Sequence, residues 1–91
     1  MYLCIEPKNI RDMNITQREL DTFVDAVLRM GYGVDIAYVT SFGFAELGIY
    51  NNGIGKPDQW HYDIIDLVHN MGFDDINIVS VSDEYMSAEL Y

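Results

Sequence analysis

Phe23-Val24-Asp25-Ala26-Val27-Leu28-Arg29-Met30-Gly31-Tyr32 aligns without gaps on Ile64-Ile65-Asp66-Leu67-Val68-His69-Asn70-Met71-Gly72-Phe73. An Asp, a Val, a Met-Gly pair and a closing aromatic fall in register. Further on, Asp35-Ile36 answers Asp75-Ile76. After small insertions, Ala45-Glu46-Leu47 answers Ala88-Glu89-Leu90. Self-similarity of this kind reads as an internal duplication. Each copy starts with helical periodicity and continues as two strand-like runs. The chain therefore reads as β-(αββ)-(αββ), a single domain with repeat units at about 16–50 and 57–91.

Outward from the aligned blocks, the local signals agree. Thr16 and Glu19 form a capping box, and Ile15 and Leu20 occupy the positions of a hydrophobic staple. Leu20, Phe23, Val24, Val27 and Leu28 make one apolar stripe, opposite Arg18, Asp21, Asp25 and Arg29. Gly31 follows as a helix stop. Val34–Ser41 and Phe44–Tyr50 read as a hairpin around Phe42-Gly43. The second helix is expected from Pro57 or Asp58 to Met71, with Pro57 at its first position. Its apolar set is Trp60, Ile64, Ile65, Leu67, Val68 and Met71, with Gly72 as the stop. Asp75–Ser82 and Glu84–Tyr91 read as a closing hairpin around Asp83. Tyr2–Glu6 reads as a short first strand ended by Pro7.

Two copies are too few for a solenoid. The expected fold class is α+β: one antiparallel sheet with both helices packed on one face, ferredoxin-like in general style. The other sheet face is then open. If Ala45, Leu47 and Ile49 point to the helices, Phe44, Glu46 and Tyr50 point away. If Met86, Ala88 and Leu90 point in, Tyr85, Ser87, Glu89 and Tyr91 point away. A face mixing Tyr with Glu favours a binding surface, because Tyr combines apolar area with a polar tip. The strand 84–91 is expected at the sheet edge, whose unpaired backbone groups offer a route to association, so the expected state is a monomer or a homodimer.

Charge narrows the partner. The 91 residues carry 15 Asp+Glu against 5 Lys+Arg, a formal charge of −10. All five basic residues (Lys8, Arg11, Arg18, Arg29, Lys56) lie in positions 1–56, where seven acids leave a balance of −2. Positions 57–91 hold eight acids and no Lys or Arg. Direct binding to nucleic acid or anionic lipid needs basic side chains, so neither is expected. The expected partner is a cation: a metal, a basic protein surface, or a protein that itself binds nucleic acid. With 49% apolar and 13% aromatic residues the chain is not a disordered acidic tail. A single cysteine, Cys4, excludes an internal disulfide and fits a reducing compartment. Met1–Glu6 shows no secretory pattern and no apolar run is long enough to span a bilayer, so a cytoplasmic place is expected.

Chemistry-bearing motifs are sparse. Gly55-Lys56 lacks the rest of a phosphate-binding loop, and Gly53-x-Gly55 lacks a dinucleotide fingerprint. The EF-hand pattern does not occur. Asp74-Asp75 and Asp83-Glu84 could approach each other across the closing hairpin and bind a cation weakly, against a reading as solvated turn acids. His61 and His69 are not at the spacing of a zinc pair, and Cys4 with one His is an incomplete site. No nucleophile stands beside a base. No catalytic residue, metal or cofactor is expected, and the protein is not read as an enzyme.

The acids have a useful spacing. Asp21 with Asp25, and Asp63 with Asp66, are helix neighbours at ~5–6 Å between Cβ atoms. Alternate strand residues are separated by ~6.6 Å. Both are of the order of the spacing between phosphates along a nucleic-acid strand. A rigid array of carboxylates can therefore enter a groove shaped for phosphates.

A short, acidic, Tyr-rich, motif-free α/β chain with a basic-free segment 57–91 resembles the inhibitors of bacterial defence carried by phages and mobile elements. These include anti-CRISPR proteins and anti-restriction or uracil-glycosylase DNA mimics. The resemblance lies in composition and in Asp58, Asp63, Asp66, Asp74, Asp75, Asp83, Glu84 and Glu89, not in a family motif. It implies a non-enzymatic inhibitor that blocks a basic nucleic-acid-binding protein by charge mimicry in a bacterial host cell. The residues expected to meet the partner are those eight acids with Glu46, Tyr85 and Tyr91. Other readings are an immunity or antitoxin protein capping a toxin nuclease, a small subunit of a larger assembly, and a metal- or small-molecule-binding domain.

Overall fold

A computed structural model describes residues 15–91. The expected first strand at 2–6, with Cys4, lies outside the described residues. Helix α1 runs Gln17–Arg29 and opens as its sequence predicts. The Thr16 hydroxyl accepts from the Glu19 N–H at 3.1 Å, and the Glu19 carboxylate accepts from the Thr16 N–H at 2.9 Å. Ile15 and Leu20 are both buried around this cap. Leu20, Phe23 and Val27 are fully enclosed, whereas Leu28 at the flank of the stripe is 50% exposed. Gly31, with φ 103°, takes the left-handed conformation that ends the helix after Met30.

Strands β1 (Gly33–Val39) and β2 (Ala45–Tyr50) form the first hairpin, and Gly43 turns it with φ 96°. Helix α2 runs Trp60–Asn70 and starts later than the sequence suggests. The Lys56 carbonyl accepts from the N–H groups of Gln59 and Trp60, both at 3.0 Å, closing residues 56–59 into a turn. Pro57 sits in that turn rather than in the helix. What sets the helix start is Trp60, whose ring is fully buried and whose Nε1–H donates to the Ser82 carbonyl at 2.8 Å. Strands β3 (Ile76–Val81) and β4 (Tyr85–Leu90) form the second hairpin.

The four strands make one antiparallel sheet in the order β1-β2-β4-β3. β4 is thus an interior strand, not the expected edge, because it pairs with β2 of the first hairpin as well as with β3. Among the described residues the outer strands are β1 and β3. Each carries an irregularity in its ladder, at Asp35 between Val34 and Ile36, and at Val79 between Ile78 and Ser80. In the central pair, Ala45 faces Leu90, Glu46 faces Glu89, and Leu47 faces Ala88.

The core shows which sheet face is covered. Ala45, Leu47, Ile49, Met86, Ala88 and Leu90 are buried in one cluster with Leu20, Phe23 and Val27 of α1 and Trp60, Ile64 and Val68 of α2. Both helices therefore lie on the same face. Phe23 also meets Phe73 edge-on at 5.6 Å, which ties α1 to the segment after α2. Among the described residues, no helix is long and apolar enough to cross a membrane.

Candidate functional site

Alternation along β2 and β4 sends the other half of their side chains to the face the helices leave open. In register, those side chains form four rows across the central pair. Phe44 and Tyr91 stack at 5.3 Å. Glu46 and Glu89 come next, directly opposite each other, then Gly48 and Ser87. Tyr50 and Tyr85 close the series with their rings 4.9 Å apart. An acidic row and a small row are thus bracketed by two aromatic rows. The sequence reading placed Phe44, Glu46, Tyr50, Tyr85, Ser87, Glu89 and Tyr91 on this face, and the structure puts them there.

The outer strands extend the face with residues that sequence reasoning missed. Tyr38 of β1 pairs with Glu46, Ile36 with Gly48, and Asn77 of β3 with Glu89. Alternation cannot be followed through the irregularities at Asp35 and Val79, so it did not assign these side chains. Ile36, Tyr38 and Tyr50 are each more than 40% exposed, and Phe42 beside them reaches 83%. Exposed aromatic and apolar side chains thus gather on and around this face, with Phe42 stacked on Phe44 at 6.5 Å.

Hydroxyl groups on this face serve carboxylates. Tyr91 Oη–H donates to Glu89 Oε1 at 2.9 Å, and Asn77 Nδ2–H donates to the same oxygen at 3.1 Å. Tyr85 Oη–H donates to Asp35 Oδ2 at 3.2 Å. To do so the Tyr85 ring lies across Gly48, where a Cβ would run into its hydroxyl. The Tyr38 phenol is held above its ordinary value by its hydrogen bond to Glu46. Tyr91 is raised by its bond to Glu89, and Tyr85 by burial and then by its bond to Asp35. These phenols stay protonated as donors. Among the described residues the Lys and Arg side chains are Arg18 and Arg29 on α1 and Lys56 before α2, so none belongs to the open face.

The remaining candidate acids do not join this row. Asp58, Asp63 and Asp66 are exposed on and before α2, across the sheet from Glu46 and Glu89. Asp63 accepts from the Tyr32 hydroxyl at 3.0 Å. Asp74 and Asp75 sit at the Tyr91 end, their N–H groups donating to the Tyr91 carbonyl. Asp83 and Glu84 sit at the opposite end, where their carbonyls accept from the side chain and backbone of Asn51. The six residues of β3 separate the two pairs, ~20 Å of strand. The closing hairpin therefore does not bring Asp74-Asp75 to Asp83-Glu84. No group of three or more potential metal ligands occurs among the described residues.

Asn51 is the other residue that sequence reasoning left as mere loop. It is 3% exposed, accepts from the Gly55 N–H at 2.7 Å and donates to the carbonyls of Gly55 and Asp83. It ties the β2–α2 loop to the β3–β4 turn beside the Tyr50–Tyr85 row. An open hollow of about 600 Å³ there is lined by Tyr50, Asn51, Asn52, Gly53, Gly55, Pro57, Asp83 and Glu84. Its charged side chains are acids, with no nucleophile set beside a base. Comparison with protein-family models, with curated proteins and with solved structures finds no match to this chain.

Proposed function

We propose that this protein is a non-enzymatic acidic inhibitor that docks on a basic, nucleic-acid-binding bacterial protein and denies nucleic acid access to it. A CRISPR effector or a restriction-type nuclease in the host cytoplasm is the kind of target meant. The observation that carries this reading is the Glu46–Glu89 row, set between two exposed aromatic rows on a face that holds no described Lys or Arg. The aromatic rows supply contact area, and the carboxylates supply charge complementarity and steered association. Acids on α2 and at both sheet ends extend the negative field around that face without forming one linear array.

The internal αββ duplication, layered in a ferredoxin-like style, belongs to the same proposal. Its support is that the matching triplets Ala45-Glu46-Leu47 and Ala88-Glu89-Leu90 pair with each other about the Glu46–Glu89 row. A duplicated unit meeting its copy there doubles one acidic residue into a pair.

The test is affinity capture on the immobilised full chain from a bacterial lysate, followed by salt elution. The eluted protein is expected to bind DNA or RNA by itself and to lose that binding when the inhibitor is added back. A captured protein that binds nucleic acid equally well in the complex would overturn the reading.

A further inference from the structure

Glu46 and Glu89 are cross-strand neighbours, and like charges directly opposite are destabilising, with Cβ atoms ~4.5–5.5 Å apart. Both side chains are half-buried, so water screens them less than at an open surface. The donors that reach Glu89, Tyr91 and Asn77, are uncharged and leave the row's charge in place. A cation held between the two carboxylates would relieve that repulsion.

The surroundings select the cation. A calcium ion takes six to eight oxygen ligands, whereas this row supplies two carboxylates beside the neutral groups of Tyr91, Asn77 and Ser87, and no group of three or more His, Cys, Asp or Glu that could hold a metal occurs among the described residues. An ammonium group is a compact, strongly hydrated point charge. A guanidinium carries five donors in a flat fork, serves two carboxylates at once and stacks on aromatic faces. Same-face rows are ~6.6 Å apart, so an arginine head on Glu46 and Glu89 leaves its stem over a neighbouring row.

We infer that the open sheet face is a docking surface for a protein segment that presents an arginine, its guanidinium bridging Glu46 and Glu89 and its stem lying on the adjoining aromatic side chains. This deepens the inhibitor reading and rests on it. It makes the partner's contact an arginine of a phosphate- or base-reading surface.

The experiment uses the isotope-labelled full chain, titrated with a blocked tetra-arginine peptide and a blocked tetra-lysine peptide and followed by NMR. The arginine peptide is expected to bind about tenfold tighter, with shifts centred on Glu46, Glu89, Tyr38 and Tyr91. The double variant Glu46→Gln, Glu89→Gln should lose that preference. Its melting point should match or exceed the parent's, because the like-charge pair is gone. The double variant Asp63→Asn, Asp66→Asn should keep the preference. Equal affinity for both peptides, or shifts confined to α2, would sink the arginine assignment and leave the inhibitor reading standing. Calcium shifting the same row in place of the peptide would sink it too. Failure of both peptides, together with no salt-eluted partner, would remove both readings.

Discussion

Tyr32 shows what one hydroxyl does where the segment after α1 meets α2. Its residue is 2% exposed, its ring lies 5.8 Å from Trp60, and it donates to Asp63. Burial, then the bond to Asp63 and its charge, push the phenol from 10.0 up to about 12. Below pH 10 both folded and unfolded chains keep this proton, so the contribution of Tyr32 to stability is complete. Between 10 and 12 the unfolded chain loses it first, and that contribution drains away. Denaturant midpoints measured across this window should fall less steeply in Tyr32→Phe than in the parent. At neutral pH the variant should cost about 1 kcal/mol for the lost hydrogen bond. Equal slopes would mean that other phenols carry the whole alkaline loss. The sequence marked Tyr32 only as an aromatic after the Gly31 helix stop, and its hydrogen bond was not legible. The bond spans 31 positions, and nothing local announces it.

Elements were legible where their signals are local. The Thr16–Glu19 box lies within four residues and needs no tertiary help, and it appears in the structure as read. Thr16→Ala should lower stability by about 1 kcal/mol, and the thermal midpoint by about 4–8 °C for a domain of this size. An unmoved midpoint would show that the N-terminal N–H groups find other acceptors. The start of α2 was misread because it is set from outside, by the bond from the Trp60 indole to Ser82 across 22 positions. The open face was legible along β2 and β4, where alternation runs unbroken. It was lost along β1 and β3 at Asp35 and Val79, since an inserted residue resets which side every later side chain takes.

At the scale of the molecule, the net charge of −10 is spread over both faces and both ends, with Glu46 and Glu89 alone on the open side of the central strands. Self-repulsion of this kind weakens the compact state. Going from about 0.01 M to about 1 M sodium chloride shortens the Debye length from ~30 Å to ~3 Å. The melting temperature should rise over that range, and a fall would show that attractive pairs such as Arg29–Asp25 dominate. Strand order was the least legible feature. It depends on how two hairpins meet, and neither hairpin encodes its neighbour.

The interruptions at Asp35 and Val79 fall one in each outer strand. Val79 and Val81 stand 60% and 41% exposed on β3, the composition that elsewhere invites a stray strand to add on. An extra residue bends the strand and breaks the even spacing of its free N–H and C=O groups, so neither border offers a straight template for growth. Among the described residues both borders are thus poor seeds for lateral growth, so the exposed aromatic side chains of the broad face sit on a sheet that resists extension at its edges.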